Sequence, residues 1–158
     1  MGITVSRGSR LTRLCARSQP RRTGRGSVAG MPISTATKIL IILQAGTETH
    51  EGRARALHSV VYATELADAG ASVRLLFDGA GTGWLARWVA AADTPSRAAR
   101  LFAGLRDRGV AFEVCDYCSG AFEVRDALVE AGEPLSGGYM DHPSIAAHVA
   151  DGFAVWIL

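Results

Sequence analysis

Cysteine is scarce in this chain: there are three among 158 residues, and one of them, Cys15, lies in the N-terminal stretch. That number excludes a disulfide framework and points to a reducing compartment, so a cytoplasmic location is expected. Long apolar runs are missing as well. No stretch approaches the roughly 20 apolar residues of a membrane-spanning helix, so no membrane partner is expected. Acidic residues are absent from residues 1–37, which hold seven arginines and no apolar core of a secretory signal. The remaining ten basic residues face fifteen acidic ones, so the body of the chain is negative and nucleic-acid binding by it is not expected.

Residues 1–35 read as a disordered Arg-rich N-terminal extension, because they offer too little apolar surface to offset their ordering entropy. Their composition also suits an organellar transit peptide, a basic arm for an anionic surface, or an upstream extension ahead of Met31. Residues 36–158 are long enough for one domain with a single core.

Within that domain aliphatic runs alternate with helical spacings. Residues 38–44 (Lys38-Ile-Leu-Ile-Ile-Leu-Gln44) show no alternation, as expected for a strand buried on both faces of a parallel sheet. Further strands are predicted at 71–77, 110–114 and 153–157, with a weak extended piece at 135–138. Helices are predicted at 51–69, with Ala54, Leu57, Val60, Val61, Thr64 and Leu66 as its apolar stripe, and at 84–91, 96–108, 119–131 and 144–151. Asp93-Thr-Pro95 separates the 84–91 and 96–108 helices, and Ala99, Leu101, Phe102 and Leu105 form the inward stripe of the latter. The pattern predicts an α/β fold, a three-layer α/β/α sandwich around a mainly parallel five-stranded sheet, flavodoxin-like in outline. Trp156 is expected in the core, and His148 in solvent.

The residues with chemistry to offer gather where such a sheet collects them, beyond the carboxyl ends of its strands. Val110-Ala-Phe-Glu-Val-Cys115 ends on a thiol, and Cys118 follows one helical turn later in Cys115-Asp-Tyr-Cys118-Ser-Gly-Ala-Phe122. A thiol at a strand-to-helix junction sits in the positive field of the helix N-terminus, which favours thiolate. Glu48, His50, Asp78, Thr82, Asp116, Asp141 and His142 fall on the same rim. Three readings of the cysteine pair follow. It is a nucleophile with a resolving partner, or half of a metal site, or two small buried hydrophobes. No second close pair of ligands is present, so no metal and no cofactor is expected. His50 reads equally as a base beside the thiols or as a polar loop residue; His142, before Pro143, reads as a turn residue or a site residue.

Asp78-Gly-Ala-Gly-Thr-Gly83 lacks the Lys-Ser/Thr of a phosphate loop, and its glycines at 79, 81 and 83 depart from the dinucleotide pattern. It reads as a flexible rim loop able to cradle a small anion.

Over residues 36–158 the order of elements, with a strand ending near Phe77-Asp78, a helix ending at Gly109-Val110 and a strand delivering Cys115, resembles the DsrE/DsrF-like family of sulfur-relay proteins. The resemblance implies homo-oligomers, trimers or hexamers, and a persulfide at Cys115 passed between sulfur donor and acceptor proteins. Cys118 departs from a one-cysteine relay and suits a resolving role. The expected function is therefore a small sulfur-handling protein with Cys115 and Cys118 as its reactive residues and His50, Glu48, Asp78, Asp116 and His142 as binding residues. The rivals are a non-catalytic oligomeric module for a small ligand or a protein, and a dithiol–disulfide redox protein.

Overall fold

The computed structural model describes residues 34–91 and 97–158, and of residues 97–99 the backbone alone; the reading of residues 1–35 lies almost wholly outside the described residues, as do the break at Asp93–Pro95 and the inward placement of Ala99. Among the described residues five strands form one all-parallel sheet. In chain order they are β1 (Lys38–Leu43), β2 (Ser72–Phe77), β3 (Ala111–Cys115), β4 (Leu135–Ser136) and β5 (Phe153–Ile157). The spatial order is β4-β3-β2-β1-β5. The layered outline is shared with flavodoxin-like folds, whereas the strand order differs from theirs, because β1 to β4 here lie side by side in sequence.

The helices are α1 (His50–Asp68), α2 (Thr82–Ala90), α3 (Arg97–Asp107), α4 (Asp116–Ala121), α5 (Arg125–Glu130) and α6 (Ile145–Ala150). Right-handed crossovers that step from β1 to β4 in one direction put α1 through α5 on one face, and the return to β5 puts α6 on the other. The thick side holds the main core: Ile39, Ile41, Leu43, Val73, Leu75 and Phe77 from the sheet pack against Val60, Leu85, Trp88, Phe102, Leu105 and Leu128. An aromatic chain runs through it, with Phe102 stacked on Phe112 at 5.0 Å and Phe77 edge-on to Trp88 at 5.9 Å. The thin side carries a smaller apolar cluster of Leu40, Ile42 and Leu76. Each enclosed aliphatic contributes roughly 1.5–3 kcal/mol relative to exposure, so the strands are fixed chiefly by these central runs.

Several sequence expectations are corrected. Residues 119–131 form two short helices, because the chain turns at Glu123, whose φ is 57°. Val124 N–H donates to the Ser119 carbonyl and Glu123 N–H to the Gly120 carbonyl, a Schellman stop made without glycine. The buried stripe of α1 is Gly52, Ala56, Ser59, Val60 and Ala63, which leaves Leu57 and Val61 exposed. Trp156 is 42% exposed, since β5 is an edge strand and lacks a neighbour on one side. His148 is buried at 5% exposure on the thin side. Its Nε2 lies 3.1 Å from Glu113, and its Nδ1 lies 3.1 Å from the Arg74 guanidinium.

The glycine-rich stretch after β2 is a 3-10 turn (Gly79–Gly81) leading directly into α2. Its glycines serve packing: a Cβ on Gly81 would sit 1.9 Å from the Leu43 carbonyl oxygen, and Gly79 has a φ of 51°. Gly81→Ala is therefore expected to destabilise the fold by at least about 1–3 kcal/mol, the range for overpacking. Gly120→Ala, a helical site where a Cβ meets nothing within 4 Å, is expected to stabilise it by roughly 0.5–1 kcal/mol. Denaturant midpoints of the two variants read both signs.

Candidate functional site

The parallel register builds the site. Phe77 pairs with Val114, so Asp78, just after β2, and Cys115, the last residue of β3, lie side by side. Cys115 pairs in turn with Ser136 of β4, so the chain leaving β4 runs past the same corner. That chain reverses at Tyr139-Met140-Asp141-His142. Met140 and Asp141 have φ values of 50° and 63°, both in the left-handed region, which is the pattern of a type I′ turn. Gly138 and Tyr139 N–H both donate to the His142 carbonyl at 2.8 Å, and Tyr117 N–H donates to the Asp141 carbonyl at 3.3 Å. The backbone therefore delivers His142 to the cysteines.

Four donor-bearing side chains meet there. The reactive atoms of Asp78, Cys115, Cys118 and His142 all lie within 4.8 Å of one another. Cys115 Sγ is 3.2 Å from His142 Nδ1, and Cys118 Sγ is 3.9 Å from the same nitrogen. The Cys118 thiol donates to Asp78 Oδ1 at 3.3 Å, while Gln44 Nε2 donates to Oδ2 at 2.8 Å. Cys115 is the N-cap of α4, accepting from Cys118 N–H at 3.4 Å. The ring of Tyr117 lies 4.8 Å from that of His142. Both cysteines are free; Cys115 is wholly enclosed and Cys118 is 8% exposed.

The electrostatics run opposite to the sequence expectation of a thiolate. Burial pushes the Cys115 thiol up to about 12, with Cys118 and Asp78 adding to the rise and the Cys118 N–H bond only partly opposing it. Burial likewise raises the Cys118 thiol, and the Asp78 carboxylate reinforces this. α4 has only six residues and gives Cys115 one amide contact, too little to offset enclosure. For Asp78, burial pushes upward, but hydrogen bonds from Gln44, Cys118, Cys115 and the Gly79 amide outweigh it and hold the carboxyl below the usual range. The resting site is an ionised carboxylate beside two protonated thiols.

Of the residues expected from sequence, Cys115, Cys118, Asp78 and His142 come together, and Glu48, His50 and Asp116 stay outside the cluster. Glu48 is exposed and lines a separate open cleft of about 390 Å3, with Thr47, Gly83, Arg87, Phe122 and Val124. His50 opens α1 and is exposed. Asp116 is engaged by Arg125, at 2.6 and 3.1 Å. Gln44 and Tyr117 were not singled out in the sequence; Gln44 ends the β1 run and Tyr117 lies inside the cysteine motif, which were the available signals.

The model of the DsrE/DsrF-like family matches residues 37–152. Among solved structures the chain is similar to a conserved protein of unknown function from Bacteroides thetaiotaomicron. The identity is 17%, the TM-score 0.51, and the match covers 80% of this chain and 98% of that one. That likeness is one of fold. No curated protein matches the sequence.

Because the enclosed thiols are protonated at neutral pH, their reaction with iodoacetamide is expected to be slower than that of a free cysteine at pH 8. The rate should keep rising beyond pH 10, where a thiol of ordinary pKa near 8.5 has levelled off. Unfolding in urea should abolish the difference. A rate midpoint near pH 8.5 in the folded protein would contradict the electrostatics described.

Proposed function

Since this chain belongs to the DsrE/DsrF-like family, we propose that it is a cytoplasmic sulfur-handling protein whose Cys115/Cys118 pair takes up sulfane sulfur as a persulfide and passes it on. The observation that carries this reading is a second thiol and an imidazole gathered around Cys115, with His142 Nδ1 at 3.2 Å. A buried thiol needs a base to become a nucleophile, and His142 is within the reach such a transfer requires. As Sγ attacks the outer sulfur of a donor persulfide, His142 takes the thiol proton. The donor's own sulfur leaves with the bonding electrons and a proton, as a thiol, and an S–S bond to the protein replaces the one broken.

The partner thiol completes the cycle in one of two ways. A thiol of an acceptor protein removes the outer sulfur, or the second cysteine attacks the inner sulfur, which yields a Cys115–Cys118 disulfide and hydrogen sulfide. Cys115, nearer the imidazole, suits the nucleophile, and Cys118, one helical turn on, suits the resolving thiol. Family membership supports self-association. The open edge of β5, with Trp156 at 42% and Ile157 at 61% exposure, offers a surface for a trimer or hexamer.

Incubation of the reduced, metal-free protein with a small persulfide donor, followed by intact mass, is expected to show one added sulfur, about 32 Da. In a Cys15→Ser background the adduct should fall at least tenfold in the Cys115→Ser/Cys118→Ser variant, and its formation should slow in His142→Ala, as the loss of a positioned base predicts. No adduct on the native protein, or an undiminished one on the double variant, would overturn the reading.

A further inference from the structure

The same corner carries a second inference, which rests on the geometry of its donor atoms and not on sulfur transfer. We propose that Asp78, Cys115, Cys118 and His142 form a four-ligand site for a divalent transition metal ion of the zinc class. Tetrahedral zinc sites combine thiolate sulfur at about 2.3 Å with imidazole nitrogen and carboxylate oxygen at about 2.0–2.2 Å, so neighbouring ligand atoms stand about 3.3–3.8 Å apart. The contacts here are 3.2 Å from Cys115 to His142, 3.3 Å from Cys118 to Asp78 and 3.9 Å from Cys118 to His142. All four atoms lie within 4.8 Å of one another. Small side-chain movements bring them onto one ion.

The chemistry of the set also fits. Two sulfurs at Cys-x-x-Cys spacing bind as a pair from one strand-to-helix junction, and a mixed S, N and O set suits zinc better than magnesium or calcium, which take oxygen. The sequence offered no second close pair of ligands. The fold supplies the other two singly, Asp78 from the end of β2 and His142 from the turn after β4.

Outer contacts hold each of these single ligands in place. Gln44 occupies Asp78 Oδ2 and leaves Oδ1 toward the sulfurs. The His142 ring turns Nδ1 toward both sulfurs, and its backbone is fixed by the hydrogen bonds of the Tyr139–His142 turn. Such support is what metal ligands require to be held in a productive orientation. Metal binding would displace both thiol protons and join three segments far apart in the chain, so it would add to folding stability. A bound ion also occupies both sulfurs, so the metal-bound and sulfur-carrying forms exclude one another.

The test uses the reduced full chain, stripped of metal and never exposed to persulfide. Zinc followed by gel filtration and elemental analysis is expected to leave one ion per chain, and cobalt is expected to give the thiolate charge-transfer and tetrahedral d–d bands. Thermal melting should rise with zinc. His142→Ala and Asp78→Ala, which alter partly exposed residues, should weaken binding at least tenfold while circular dichroism stays native. His58→Ala, on the exposed face of α1, should leave it unchanged. No retained ion at one equivalent, or retention equal in native, His142→Ala and Cys118→Ser proteins, would overturn the site. Zinc binding without persulfide loading would refute the sulfur reading alone, and loading without zinc binding would refute this one alone.

Discussion

The site depends on the register of two parallel strands. Because Phe77 lies opposite Val114, the last buried residue of β2 and the last aliphatic of β3 end level, and the polar residue after each is released at the same height. Alternation along the strands then fixes direction. Leu76 belongs to the thin-side cluster, and Asp78, two residues on, falls on that same side, as does Cys115, two residues after Glu113. A slip of one residue would send Asp78 or Cys115 toward the main core, where a carboxylate has no partner. Phe77, Leu75 and Val114 are enclosed completely, so a slip would also cost several buried apolar contacts. The chemistry of the corner is thus set by hydrophobic residues that take no part in it.

The thin side of the sheet explains why the cysteines are enclosed and yet near the surface. Among the described residues α6 is the one helix on that face, and it is tied down by polar contacts: His148 between Arg74 and Glu113, and Arg74 also over the ring of Phe153 at 5.1 Å. The turn that carries His142 runs into this helix, with Ser144 as its N-cap. His142 therefore covers Cys115 from the less heavily packed side. Enclosure raises the thiols, and a carboxylate held ionised beside them raises them further. Such a pair resists adventitious oxidation, which follows thiolate character and exposure. It becomes reactive only when a base or a cation takes the place of its protons.

Much of this was legible in the sequence, and the reasons differ by feature. Unbroken aliphatic runs such as Ile39–Leu43 announced the parallel strands, and strand–helix alternation announced the layers. Placement of Asp78, Cys115, Cys118 and His142 on one rim followed from topology. The rim is wide, however, and topology alone does not say which of its residues touch. Register decides that, which is why Glu48, His50 and Asp116 stand apart although they share the edge. The left-handed conformation of Glu123 and of Met140-Asp141 gave little signal, since none of those residues is glycine. His148 looked like a solvent residue because its partners, Arg74 and Glu113, come from strands 74 and 35 positions away. Trp156 looked like core because edge position is invisible in a five-residue apolar strand.

The two left-handed residues at Met140 and Asp141 carry a cost, of order 1–3 kcal/mol each for non-glycine side chains held there. The side chains of Tyr139 and Met140 offset little of it, being 68% and 77% exposed. The offset comes from the backbone, where the Tyr139–His142 bridge and the Tyr117 N–H bond to Asp141 lock the reversal against α4. An asparagine or glycine would make the same turn more cheaply, but the strain is spent on orientation. His142 reaches the cysteines from a rigid reversal and not from a loose loop, so its nitrogen faces both sulfurs before any partner or ion arrives. Pre-organisation of this kind separates a working set of donor groups from residues that merely share an edge, and it ties whatever chemistry the corner performs to the conformation of two exposed residues that do not perform it.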